Sequence, residues 1–514
     1  MRRLLVLLLT ALLLLSGCAA LAEPEAPEEE WGDYQQFLPE EPQEEEPEEQ
    51  AYPAAFSLPY CRNMKLDPVE GGEGFQEMVA SLLYEPLFRL DEHFEPVPVL
   101  CESYAWDESG LVCTLTVRED VVFSDGSALT ARDVEETLQR AMVSERYAYR
   151  LRNVASVAAG RRGQTVTVTL TAPDRGLPAL LDIPIVKRTT AGERVPLGTG
   201  PYVLEGENGA ESLRAREGTD LPLKTIPLVP AKDQETALYL FETRQVEMLP
   251  TDPADTPSMV SGRVQATVQP TAIMQFIGFN TGEGRPFADE ALRAQLSRSI
   301  DRETLVSAQL VGLAQAAQFP VHPASPLYPK ELEQPWEEVQ PPAAGREPLK
   351  LLVGGGDAFR AAEARFIAGE LNKLGWQITV EEQPWEAYLA ALEAGEFDLY
   401  LGEVRLTADW NLTDLIGTEG TLNYGGYTRE TTDILLQLFA GAENRQETAA
   451  RLYSHLRSFT PIAPICFRNY TVLTYPDVVE GLAPAPSYVF QGMEQWTVRL
   501  AEEEADAVMG EDEE

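Results

Sequence analysis

LTVREDVVFSDGSALTARDV, from Leu115 to Val134, is the stretch whose reading decides the fold. Its first part belongs to a β-rich run over 111–117, where Leu, Thr and Val suit a strand. Asp125-Gly126 is a turn signal. Thr130 then stands as a helix N-cap with Asp133 three residues on, a short-acid version of the capping box, which predicts a helix over 130–142. Working outward, 165–170 alternates Thr with Val or Leu, as a half-buried strand does. Upstream, 76–83 reads as a helix that runs into Tyr84-Glu85-Pro86-Leu87-Phe88. Downstream, Gly198-Thr199-Gly200-Pro201-Tyr202 reads as a turn entering a strand.

A second region alternates strands and helices. Residues 349–353 form an apolar strand and Gly354-Gly355-Gly356 a loop. Residues 357–374 form a helix with Phe359, Ala362, Phe366, Ile367 and Leu371 at helical spacing, closed by Gly375. A strand (377–380), a helix (384–394) and a strand (397–401) follow, which predicts a mostly parallel α/β region. The triple glycine invites a phosphate reading, since a glycine-rich loop before a helix can hold an anion. The dinucleotide pattern fails at Phe359, and no P-loop Lys-Ser/Thr follows, so the loop reads as a plain βα turn.

The 514 residues suffice for two or three domains. A formal net charge of -43 argues against nucleic acid or an anionic lipid surface as partner, because both select for excess Lys and Arg. Much of the acid lies in two tails, 23–50 and 502–514, whose composition favours solvated, extended chain. The first suits a stiff tether. Three scattered histidines, His93, His322 and His455, and no CxxC leave little material for a metal site, and no cofactor is expected. Cys101 and Cys113 bracket a strand–turn–strand and either face each other across a hairpin or stay buried as free thiols; the count does not decide.

The amino terminus carries its own address. Arg2 and Arg3 precede an apolar run, 4–15, of about 12 residues, short of the roughly 20 that span a bilayer. Leu15-Ser16-Gly17-Cys18 then looks like a bacterial lipobox. The expectation is a signal over 1–17, lipid on Cys18, a tether over 18–50, and a mature protein anchored on the outer face of the cytoplasmic membrane.

Five stretches, in order, resemble the family 5 solute-binding proteins of ABC importers, the dipeptide- and oligopeptide-binding group. They are Leu83–Phe88 continuing to Leu100; Leu115–Val134; Gly198–Tyr202; Gly278-Phe279-Asn280-Thr281 with Pro286-Phe287 and 292–302; and 371–409, with Pro384-Trp385-Glu386-Ala387-Tyr388 and Thr407-Ala408-Asp409. The resemblance runs from about Leu58 to Val498. It implies an α/β fold: a two-lobed periplasmic-binding-protein clamshell of the class II type with an extra inserted small α/β domain. Lobe I would comprise 51–80, 184–270 and 470–500, the insert 81–183, lobe II 271–469, and a disordered acidic tail 501–514. It also implies a monomer that captures a peptide or other small solute between its lobes and delivers it to permease subunits.

The resemblance further implies which residues meet the solute. Asp409 stands where a family carboxylate pairs with a peptide ammonium; a charge-assisted bond in a closed cleft is of the stronger kind. Its other readings are an exposed loop carboxylate or the cap of 410–416. Leu406 replaces the family tryptophan of that segment. Trp385 matches a tryptophan that walls side-chain pockets, its alternative being core packing. Tyr488 lies where the C-terminal segment approaches the cleft. Asn280 and Thr281 are expected at the lobe crossing as structural or hinge residues. Two other classes stay open: a surface sensor or adhesion lipoprotein on the same platform, and an extracellular hydrolase, for which no Gly-x-Ser-x-Gly or His-Glu-x-x-His occurs.

Overall fold

The strand–turn–helix of the opening stretch forms as its residues dictate. In the computed structural model, which describes residues 52–501 except 73, 162, 208, 255–262, 343–346 and 357, strand Val112–Val117 buries Cys113, Leu115 and Val117 on one face. Gly126 takes φ +82°, a conformation a side chain resists. Helix Ala131–Ala141 starts with a complete capping box: the Thr130 N–H donates to Asp133 at 3.0 Å. The other Asp133 oxygen accepts the Arg188 N–H at 2.9 Å, so one carboxylate caps the helix and ties down a distant loop. The strands order Cys101–Trp106, Val112–Val117, Thr165–Leu170, Val154–Ala159, all antiparallel, with the helix against one face. This small domain has its own core, from Leu87 through Val134 to Ile185. The expected signal, Cys18 and the tether, and the tail beyond 501 lie outside the described residues.

A second core draws on three separated pieces of chain, from Phe56 to Tyr84, Val186 to Leu249, and Val472 to Trp496. Its sheet orders Leu58–Tyr60, Thr225–Pro230, Ser212–Ala215, Tyr202–Glu205. The Gly198-Thr199-Gly200 turn serves a close backbone approach. A β-carbon on Gly198 would lie 2.1 Å from the Leu83 carbonyl oxygen, and one on Gly200 2.4 Å from the Leu83 carbonyl carbon.

The third unit is a seven-stranded sheet ordered Met248–Thr251, Ile462–Thr474, Gln265–Phe279, Leu399–Arg405, Leu349–Gly354, Ile378–Gln383, with Ala314–Ala316 beside Ile462–Thr474. Leu349–Gly354 pairs in parallel with both neighbours, as the alternation of elements predicts. The other pairs are antiparallel, so the sheet as a whole is mixed. Gln265–Phe279 and Ile462–Thr474 run 15 and 13 residues, against a usual ~5–6, and Met248–Thr251 ties their far ends to the second core. Their register slips between Pro270 and Met274, where proline has no N–H for the ladder. Helix Ala358–Lys373 covers one face of this sheet. Helices Trp385–Ala394, Glu430–Gly441 and Arg445–Phe459 cover the other.

One expectation needs correction, and one open alternative is decided. Asn280 and Thr281 do not mark the crossing between units. They follow the far end of Gln265–Phe279, where the Asn280 amide donates to the Gly395 and Phe397 carbonyls at 3.0 Å each. Cys101 and Cys113 do not face each other: an irregularity at Cys101–Ser103 sets Cys101 opposite Val117 and Cys113 opposite Trp106. All four described cysteines are free and buried, and burial pushes the Cys101 thiol up to about 11 and Cys113 to about 12.

Candidate functional site

Strand Leu399–Arg405 delivers the segment that carries Asp409. The Leu406 N–H still donates to the Ala272 carbonyl at 2.9 Å, and Leu406 is buried in the core beneath. The chain then turns: the Trp410 N–H donates to Thr407 at 2.9 Å, and Trp410 sits at φ +56° with its ring fully buried. That turn holds Asp409 at 3 % exposure. Its backbone carbonyl accepts Arg445, and its Oδ1 accepts the Asn411 N–H at 3.3 Å.

What covers Asp409 comes from the small domain. A β-carbon on Gly176 would lie 2.6 Å from the Asp409 β-carbon and 3.0 Å from an Arg445 nitrogen. Asp174, also buried, stands beside Asp409, and its Oδ1 accepts the Gly176 N–H at 2.9 Å. Burial, and then the charge of Asp409, push Asp174 up to about 7 against the pull of Arg445. Glu95, on the same side, is raised by burial and by Asp91.

Trp385 is in the opposite situation. It opens helix Trp385–Ala394 and is 48 % exposed, so the core-packing reading fails. Its ring stacks on Tyr388 at 5.4 Å, and the Tyr388 hydroxyl is fixed on the Leu401 carbonyl at 3.0 Å. The triple glycine explains the perch. A β-carbon on Gly354 would come within 3.0 Å of the indole, so glycine lets the ring lie against the strand end.

Tyr488 does not join this group. It packs in the core of the three-piece unit with the Arg89 guanidinium 3.9 Å over its ring, beside a cavity of about 260 Å³ that also borders Glu85 and Glu494. Leu406 and Asp409 thus share one loop, Tyr388, on which Trp385 rests, belongs to the same core as Leu406, and Tyr488 stands apart. A larger cavity, about 420 Å³, lies beside Arg302, Trp336 and Arg457. The Arg302 guanidinium there is already committed to the Pro464, Ser297 and Ile300 carbonyls, which marks it as structural.

Two groups escaped the sequence reading. One is Asp174. The other is an ion cluster in the large sheet: Arg468, 6 % exposed, bridges both Glu403 oxygens at 3.0 Å and also pairs with Asp252, while Gln275 donates to Glu403 at 3.0 Å. An arginine inside the apolar run Ile465-Cys466-Phe467-Arg468 was the available signal; a buried charge must be paired. Nothing local marks Asp174. Among the described residues, no three His, Cys, Asp or Glu side chains are placed to hold a metal. His322 is buried, pushed down to about 4 by desolvation, and packs against Phe94 and Phe467.

Residues 95–415 match the family model described as bacterial extracellular solute-binding proteins, family 5. Curated relatives include the glutathione-binding protein GsiB of Salmonella paratyphi A, 28% identical over 304 residues, 55% of this chain and 58% of that protein. The Escherichia coli K12 protein of the same name is 27% identical over 305 residues, again 55% and 58%. The matched part therefore spans less than two thirds of those relatives. Among solved structures, the nickel ABC transporter protein of Bacillus halodurans superposes with a TM-score of 0.71 at 17% identity, covering 86% of this chain and 99% of that one. The Listeria monocytogenes substrate-binding protein CtaP gives 0.68 at 18%, covering 87% and 99%. The Bacillus subtilis oligopeptide-binding protein AppA, solved with a nonapeptide, gives 0.58 at 19%, covering 87% and 100%. At these identities the likeness establishes the fold, a two-lobed mixed α/β clamshell.

Proposed function

The chain belongs to the bacterial extracellular solute-binding proteins, family 5, and from that premise we propose that it is the extracytoplasmic receptor of an ABC importer, taking up a peptide or similar small solute between its lobes. The observation that carries this is the extent of the family match, which runs without interruption from the small domain to the Asp409 loop. The family consists of binding proteins, and we assign this member no catalytic role. Small peptides of glutathione size are the first solutes to test, because the curated relatives bind glutathione.

In this proposal the lobes and insert divide as the sequence suggests. Asp409 meets the solute ammonium, and Trp385 supplies an exposed aromatic wall of large area and low rotamer cost. Leu406 and Tyr488, both buried, shape the cleft from behind. The mature protein works as a monomer, held by lipid on Cys18 at the outer face of the cytoplasmic membrane, and hands its cargo to permease subunits.

Native mass spectrometry of the protein produced without its signal, followed by denaturation, tests the reading. A released peptide supports it, and Asp409→Ala should then reduce retention at least tenfold, the usual scale for losing a charge-assisted bond of ~1.5–3 kcal/mol. An apo mass, with no thermal shift against di-, tri- and oligopeptides including glutathione, sinks it.

A further inference from the structure

We propose that the small domain is a self-closing latch: it docks onto the large-sheet half through Phe94 and the Asp174–Gly176 turn, and by doing so caps Asp409 with the protein's own atoms. The contact has two points. At the first, the turn after strand Phe88–Leu90 is held by Asp91, whose carboxylate accepts the His93 and Glu95 N–H groups at 2.9 and 2.8 Å. This turn presents Phe94 at φ +63°. Its ring enters an aromatic socket, 4.6 Å from His322 and 5.3 Å from Trp410, and belongs to the core of the large-sheet half rather than to that of its own domain.

At the second point the Arg175 N–H donates to the Ala440 carbonyl at 2.7 Å, and the Arg175 side chain reaches Glu443 at 3.4 Å. Gly176 lies flush on Asp409, with no room for a β-carbon. An ion pair, Arg152–Asp414 at 2.9 Å, closes the rim.

The same contact carries signs of reversibility. Buried Nε atoms of Arg175 and Arg445 and the buried Nε2 of His322 have no protein hydrogen-bond partner. Optimised cores avoid such orphans. Two of the five described non-glycine residues with positive φ, Phe94 and Trp410, meet in this socket. Backbone in that region is held only where packing over-determines it, which suits a bistable element. A solute that needs Asp409 must first displace Gly176, so its apparent affinity falls by the fraction of molecules that are open.

The latch bears on solute capture only if the proposed receptor function holds. Its test therefore needs no ligand. Small-angle scattering on the dialysed protein reads closure as the difference in radius of gyration between each variant and wild type, which carry the same acidic tails. Gly176→Ala, whose β-carbon wedges the contact, and Phe94→Ala, which removes a ring outside the small domain's own core, should each raise it, consistent with a roughly tenfold larger open population. Two folded variants that scatter as wild type does overturn the latch. Either result stands whether or not the peptide screen finds a ligand.

Discussion

Asp409 and Trp385 come from neighbouring stretches of one sequence motif and end in opposite environments. Asp409 is sealed: 3 % exposed and capped by Gly176, with buried Asp174 beside it and Trp410 next in the chain, its ring buried. Trp385 stands open at 48 %, resting on Gly354 and Tyr388. The difference teaches that residue type and motif position set what a side chain can bind, whereas its availability depends on which distant segment lies over it. Changes in the sealed corner should register as stability and closure, and changes on the open wall as binding.

The largest effect is expected at the sealed corner. Trp410→Ala empties a fully buried ring site that touches Phe94 and Phe467, and should cost about 3–5 kcal/mol in chemical denaturation. A loss below about 1 kcal/mol would mean that the corner is not packed as described and would break the contrast.

Next comes its pH dependence. Asp174 is raised from 3.8 to about 7 in the folded protein. The folded state therefore holds this proton more tightly than the unfolded chain, so the stabilisation is complete below about pH 4 and is lost as pH rises through about 7. Asp174→Asn keeps a donor for Asp409 without titrating. It should match wild type near pH 4 and be more stable at pH 8, by up to ~4 kcal/mol. Melting curves at the two pH values decide; equal differences at both would show that folding does not raise the Asp174 carboxyl.

The smallest effect on stability belongs to the open wall. Trp385→Ala should change unfolding free energy by less than about 1 kcal/mol, since the ring is half exposed. The same change should weaken solute binding about tenfold by calorimetry, which sharpens the comparison. Unchanged affinity would remove Trp385 from the proposed cleft.

Much of the fold was legible because it is local. The strand, the turn at Gly126 and the helix capped by Thr130 and Asp133 follow from side-chain alternation and short-range hydrogen bonds. The parallel unit from Leu349 to Arg405 follows from apolar periodicity. Strands Gln265–Phe279 and Ile462–Thr474 did not announce themselves, because Pro270 and Pro464 interrupt runs that only a long partner strand sustains. At the site, Asp409 and Trp385 could be named from motif position, but Asp174 and Gly176 could not, since their role exists only where they meet a loop more than two hundred residues away.

By itself, then, the sequence determined element types, turn positions, a strongly negative net charge, and the presence of the carboxylate and the aromatic proposed to meet a peptide-like solute. Only the tertiary structure decided which carboxylates are desolvated, which tryptophan is exposed, and that the cysteines stay apart. The physical reason is one of range. Backbone hydrogen bonding and side-chain periodicity act over a few residues and are written along the chain. Desolvation and steric closure depend on surfaces brought together from Asp174, Asp409 and Arg445, which no local pattern records.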